Sequence, residues 1–214
     1  MNYFNLFTLT AEIVGTISFS ISGAVTAIKK GMDLFGVIIL GLTTAVGGGI
    51  IRDLTLGINP PKTFTNPIYG GIAIIAAVVT FVIIAAHKEP KATVSNDWLM
   101  FWMDTIGLAI FTVVGISTAY EISDSYSAYL LVFVGVITGV GGGVVRDLFA
   151  GNTPYIFVKH IYACACIMGS IVCVSLWKPF GMIPAMLVGA AVVVALRYFA
   201  RQFKWNLPRI KNIS

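Results

Sequence analysis

Charge is what this chain has least of. Only 11% of its 214 residues are Asp, Glu, Lys or Arg, against roughly 25% in ordinary soluble domains. Hydrophobic residues make up 57% and the mean hydropathy is +0.91. A soluble globular domain is thereby excluded, and lipid is the expected solvent. Among nine acidic residues and two histidines no nucleophile, base and orienting-group set and no metal cluster appears in the sequence, so neither enzymatic chemistry nor a cofactor is expected. Cysteine is equally sparse. Cys164, Cys166 and Cys173 fall in one apolar run, where an odd number on one helix makes neither a disulfide framework nor a metal site. The net charge of +5 comes from basic residues between apolar runs and at the C-terminal end. No basic and aromatic groove pattern exists, so nucleic acid is not an expected partner. The first apolar segment lacks a basic leader and an A-x-A site, and is expected to be retained rather than cleaved.

What is present is a succession of apolar runs. A hydrocarbon core about 30 Å thick needs about 20 apolar residues per helix. That rule predicts seven spans, Leu6 to Ile28, Leu34 to Leu56, Ile68 to Ala86, Trp98 to Ala119, Tyr126 to Ala150, Tyr155 to Trp177 and Met182 to Phe199. Seven spans place Lys29, Lys30, Lys88, Lys91, Lys159, Arg197, Arg201, Lys204, Arg209 and Lys211 on one side and only Lys62 and Lys178 on the other. Because Lys and Arg collect in cytoplasmic loops, the N-terminus is expected outside and the C-terminus in the cytoplasm of a multi-pass inner (plasma) membrane protein. His87 and His160 fall at span ends and are expected in solvated loops.

The chain repeats itself. TAVGGGIIRDLTLG from Thr44 matches TGVGGGVVRDLFAG from Thr138 at nine of fourteen positions. Close to the same offset, Glu12 meets Asp104, Gly15 meets Gly107, Phe19 meets Phe111, Gly23 meets Gly115 and Tyr69 meets Tyr162. Each copy carries three spans, and an odd number inserts the second copy upside down. The expected organisation is an all-α integral membrane protein: a three-helix repeat over 1–90, an inverted one over 91–178, and a seventh helix with a basic tail over 179–214. Inverted repeats place a solute pathway near the midplane at the repeat interface.

Six ionisable residues, Glu12, Arg52, Asp53, Asp104, Arg146 and Asp147, lie within spans. At about 2.5 to 3.5 kcal/mol each at a helix centre, they are expected to face water or one another, not lipid. Neighbours on a helix point about 100° apart. Arg52 is therefore expected to reach Asp147 or Asp104, and Arg146 to reach Asp53 or Glu12. These charges either lock the repeats together or line an aqueous pathway. The triplets Gly47, Gly48, Gly49 and Gly141, Gly142, Gly143 cost about 1 kcal/mol per residue against Ala inside a helix. A break there would free carbonyl oxygens for a monovalent cation, whereas close helix crossing is the other use of such glycines. The first and fourth spans carry matching stripes of small and polar residues around Phe19 and Phe111, with Ser22 on the first. Such a face suits a tight contact or a pore wall with an apolar gate.

Two GGG-x-x-RD motifs on the second and fifth of seven spans resemble the prokaryotic members of the trimeric intracellular cation (TRIC) channel family, over nearly the whole chain. The resemblance implies a homotrimer in which each protomer has its own pore for K+ and Na+, with the two helices kinked at the glycine triplets. It assigns the pore to Gly47, Gly48, Gly49, Arg52 and Asp53 and to Gly141, Gly142, Gly143, Arg146 and Asp147. The same group has carried the label of a glycine transporter, so a small amino acid carrier is the alternative.

Overall fold

A computed structural model describes residues 3–86, 97–158 and 161–205. Every regular element among these residues is helical, and seven helices are long and apolar enough to cross a membrane. They are α1 (Tyr3–Lys29), α2 (Leu34–Thr55), α3 (Ile68–Ala86), α4 (Asp97–Ile122), α5 (Ala128–Phe149), α6 (Ala163–Phe180) and α7 (Met182–Gln202). Single helical turns, Lys62–Thr65 and Tyr155–Val158, follow α2 and α5. His87, Lys88, Lys91, Lys159, His160, Arg209 and Lys211 lie outside the described residues.

One span is shorter than hydropathy predicts. The sixth is expected to begin at Tyr155, but Tyr155–Val158 is a separate turn and α6 starts at Ala163. Hydropathy merges the two because the turn is itself apolar, whereas the repeat pairs that turn with Lys62–Thr65.

Local sequence explains where the two motif helices begin and end. Asp33 Oδ1 accepts the Gly36 N–H at 2.8 Å, and the Ser127 hydroxyl accepts the Leu130 N–H at 3.3 Å, so α2 and α5 both start on a side-chain cap. Both end alike, with Gly57 at φ +74° and Gly151 at φ +66°. The Ile58 N–H then donates to the Asp53 carbonyl and the Asn152 N–H to the Asp147 carbonyl, each at 2.8 Å. This Schellman closure needs a residue comfortable in the left-handed region. The final glycine of each motif supplies it.

Helices α1, α2, α4 and α5 form the centre, with α1 against α2 and α4, and α5 against α2 and α4. On one flank α3 packs on α1 and α2; on the other α6 packs on α5 and α4. Helix α7, which has no counterpart in the repeat, covers α4 and α6. Outward-facing Ile75, Val79, Val82 and Ile83 of α3 stay exposed, as suits a multi-pass membrane protein whose solvent is lipid.

The glycine triplets do not break their helices. Helices α2 and α5 run uninterrupted through Gly47–Gly49 and Gly141–Gly143. The expected supply of unwound carbonyls to a cation is therefore absent, and the physical reason is packing. A Cβ on Gly48 would be driven into the Thr138 carbonyl oxygen, and one on Gly142 into the Thr44 carbonyl oxygen. A Cβ on Gly141 would lie 3.0 Å from the Gly48 Cα. The two helices cross backbone to backbone, and the dispersion attraction of that close approach compensates the poor helix propensity of glycine.

Candidate functional site

The doubled Arg-Asp pairs close on themselves. Arg52 Nε donates to Asp53 Oδ1 at 2.8 Å, and Arg146 Nε donates to Asp147 Oδ1 at 2.9 Å. Arg52 thus takes its sequence neighbour in place of the expected Asp147 or Asp104, whereas Arg146 bonds its neighbour and also reaches another helix, at Asp104 instead of the expected Asp53 or Glu12. Although the Cα–Cβ bonds diverge, the long arginine stem folds back across the helix end to reach the short carboxylate. The other carboxylate oxygen has its own task. Asp53 Oδ2 accepts the Lys62 N–H at 2.7 Å and Asp147 Oδ2 accepts the Tyr155 N–H at 2.9 Å. Each aspartate so pins the short turn that follows its helix. Both are fully buried.

Around the second pair a closed cluster forms. Asp104 Oδ1 accepts from Arg146 Nη1 at 2.6 Å and from the Tyr162 hydroxyl at 3.2 Å, while Asp104 Oδ2 accepts from Arg197 Nη2 at 2.9 Å. Arg197 Nε also donates to the Thr105 hydroxyl at 3.3 Å. Arg146 Nη1 reaches across the repeats to the Ser22 hydroxyl at 2.7 Å, which brings the α1 stripe into the cluster. The Tyr155 ring lies under the Arg146 guanidinium, 5.0 Å from centroid to Cζ. Arg197 is only 6% exposed. Charge counting places it among the cytoplasmic loop residues instead. The signal for burial is nonetheless present, because Met186, Gly189, Val193 and Arg197 recur at helical spacing on the buried face of α7.

The equivalent surroundings of the first pair are open. A cavity of about 500 Å³ is lined by Glu12, Thr16, Arg52, Lys62, Tyr69 and Glu121, among others. The Tyr69 hydroxyl donates to Glu12, as the Tyr162 hydroxyl does to Asp104 in the other repeat. Among the described residues Glu12 makes no ion pair. At the rim Lys62 Nζ approaches Glu121 Oε2 at 3.4 Å, joining the loop after α2 to the end of α4. Sequence reasoning misses Lys62, Glu121 and the tyrosine pair as functional residues, although Tyr69 and Tyr162 already match in the repeat.

Between the two clusters stand Phe19 and Phe111, with ring centroids 5.3 Å apart. Phe111 lines the cavity. The packing is reciprocal. A Cβ on Gly107 would collide with the Phe19 ring, and one on Gly15 would lie 3.1 Å from Phe111. Each aromatic side chain fills the glycine notch of the opposite repeat. The structure therefore brings Glu12, Gly49, Arg52 and Phe111 to the cavity, buries Phe19 beside Phe111, and gathers Ser22, Asp104, Arg146 and Asp147 in the closed cluster. Gly47, Gly48, Gly141 and Gly142 belong to the helix crossing, while Gly143 faces the Tyr162 hydroxyl.

Comparison with known proteins extends over the whole of this arrangement. The family profile described as "Glycine transporter" matches residues 9–85 and again 101–178, once per repeat. The inner membrane protein YadS of Escherichia coli K12 is 37% identical over 199 residues, covering 92% of this chain and 93% of that protein. The membrane protein YvgT of Bacillus subtilis is 33% identical over 201 residues, with 92% and 93% covered. A structure solved in work on conductance through TRIC cation channels is 37% identical, covers 96% of this chain and 98% of its own, and superposes with a TM-score of 0.83. The chain belongs to the TRIC family. A TRIC orthologue from Rhodobacter sphaeroides, at 30% identity and 93% and 99% coverage, gives a TM-score of 0.84. The match to TRIC structures extends over nearly the whole seven-helix chain. The twofold match of the profile falls on the two three-helix units.

Proposed function

We propose that this TRIC family protein is a monovalent cation channel for K+ and Na+, assembled as a homotrimer with one pathway in each protomer. The pathway runs from the cavity at Glu12 and Arg52, past Phe19 and Phe111, to the cluster of Asp104, Arg146 and Asp147. The observation that carries this reading is the cavity itself. A polar, carboxylate-bearing recess reaches Phe111, whose ring packs on Phe19, and in hydrocarbon such polar groups are tolerated where they line a water-filled route. Likeness to proteins studied as TRIC cation channels supports the same reading. With the N-terminus outside, the cavity opens to the exterior of the inner membrane and the Arg197 cluster faces the cytoplasm. In this closed arrangement Phe19 and Phe111 act as the apolar constriction, and the glycine crossing gives the two repeats a contact on which they can pivot.

The reading is tested by K+ flux into proteoliposomes under a K+ gradient, which is expected to set up a membrane potential without saturating. A carrier for a small amino acid is the second reading. The cavity carries both signs of charge, Arg52 and Lys62 beside Glu12 and Glu121, as a zwitterion such as glycine requires, and the family profile bears that description. Saturable glycine uptake with countertransport and no ion current favours it.

A further inference from the structure

Repeat symmetry makes one ion pair conspicuous. Glu12 and Asp104 hold equivalent places, as do Tyr69 and Tyr162, Arg52 and Arg146, and Asp53 and Asp147. In the first repeat Glu12 takes the tyrosine hydroxyl and faces the cavity. In the second, Asp104 takes the tyrosine hydroxyl and two arginines. The added arginine, Arg197, comes from α7, the helix with no partner in the repeat. Without it, Asp104 and Asp147 are two buried carboxylates facing the single guanidinium of Arg146, and a buried uncompensated charge is strongly unfavourable. That deficit is a seat for a cation. Its walls are suited to one, since the Arg197 guanidinium lies 4.7 Å from the Tyr162 ring centroid and 5.2 Å from that of Phe101, between faces that attract cations.

We propose that Arg197 is a tethered blocking cation: its guanidinium occupies at Asp104 a binding site for a free monovalent cation, and withdrawal of the α7 end opens that site to the pathway. This rests on the cation-channel reading above. The space is filled on this side only. A Cβ on Gly143 would sit 2.5 Å from the Tyr162 hydroxyl oxygen, whereas one on the equivalent Gly49 would meet nothing nearer than 3.9 Å. The fold thus pairs an open half-pathway with a self-occupied one, and the seventh helix supplies the occupant. Its reach is short. Arg197 stands in the last turns of α7, which ends at Gln202, so a modest displacement of that end removes the guanidinium while the repeats stay packed.

The test compares full-length wild type, Arg197→Ala and Arg197→Ala with Asp104→Asn in proteoliposomes, with millimolar guanidinium chloride added at constant ionic strength. Arg197→Ala is expected to raise K+ flux several-fold and to become sensitive to guanidinium, which blocks by refilling the seat. The double variant, which lacks the carboxylate of the seat, is expected to conduct less than Arg197→Ala and to lose that sensitivity, and wild type to be insensitive throughout. A second readout needs no transport: guanidinium should raise the thermal midpoint of Arg197→Ala and leave those of wild type and the double variant unmoved. If Arg197→Ala does not assemble, Arg197→Gln, which keeps a donor for Thr105, carries the same comparison. Wild-type flux with no increase in the variant, or a variant blind to guanidinium in both readouts, overturns the tethered-cation proposal while sparing the channel. Absence of K+ flux in every form overturns the channel reading and the blocking role with it.

Discussion

Gly48 and Gly142 press against each other's helices so closely that a Cβ on Gly48 would lie 3.3 Å from the Gly142 nitrogen. Each also faces a backbone carbonyl oxygen of the opposite repeat, Thr138 for Gly48 and Thr44 for Gly142. Backbone cannot rotate away as a side chain does. Gly48→Ala and Gly142→Ala are therefore each expected to lower stability by about 1 to 3 kcal/mol, the usual cost of overpacking. Thermal unfolding in detergent measures it, and unchanged midpoints in both variants contradict the crossing.

Gly49 and Gly143 are equivalent in sequence and unlike in surroundings. Gly49→Ala places its methyl in the cavity and is expected to assemble normally, with a gain of up to about 1 kcal/mol from helix propensity. Gly143→Ala drives a methyl toward the Tyr162 hydroxyl oxygen, 2.5 Å from the ideal Cβ, and loosens its bond to Asp104. That variant is expected to lose stability on the overpacking scale of about 1 to 3 kcal/mol. Equal midpoints for the two single variants would deny the asymmetry between the halves.

Much of this architecture is legible in the residues. Seven spans, the inverted repeat, and the pairing of Glu12 with Asp104 and Phe19 with Phe111 all follow from hydropathy and a fixed offset, because lipid leaves the chain few alternatives. Local geometry is where sequence and structure part. The glycine triplets cost helix propensity in isolation, but the α2 to α5 crossing, invisible in one dimension, keeps them helical. Backbone directions alone send Arg52 to a distant partner, since they ignore how far an arginine stem folds back; Arg146 does reach another helix, at Asp104 and not at Asp53 or Glu12. Arg197 reads as a loop charge because the end of a span and the mouth of a cluster look alike in sequence.

Lys62 and Glu121 form a rim pair whose side chains are 47% and 37% exposed, so its own stabilisation is about 0 to 1 kcal/mol. Its effect should be electrostatic instead. Lys62→Gln removes a positive charge from the cavity mouth and leaves Glu121 unpaired, raising the local cation concentration. K+ conductance is expected to rise at low ionic strength, and the difference to fade at high salt, where the screening length falls to about 3 Å at 1 M. A salt-independent change speaks against a pathway through this cavity.

The basic residues predict the direction of insertion, with the N-terminus outside. A C-terminal fusion is expected to be active with a cytoplasmic reporter and silent with a periplasmic one. The reverse pattern inverts the pathway and puts the Glu12 cavity on the cytoplasmic face.

The central claim is that cations cross each protomer by way of Glu12, and single-channel recording of the purified protein in a planar bilayer tests it most directly. Glu12→Gln keeps an acceptor for the Tyr69 hydroxyl and removes only the charge. Unitary K+ currents are expected from wild type and clearly smaller ones from Glu12→Gln at equal K+. Unitary currents of equal size in both, or no current beside saturable glycine uptake, would contradict it.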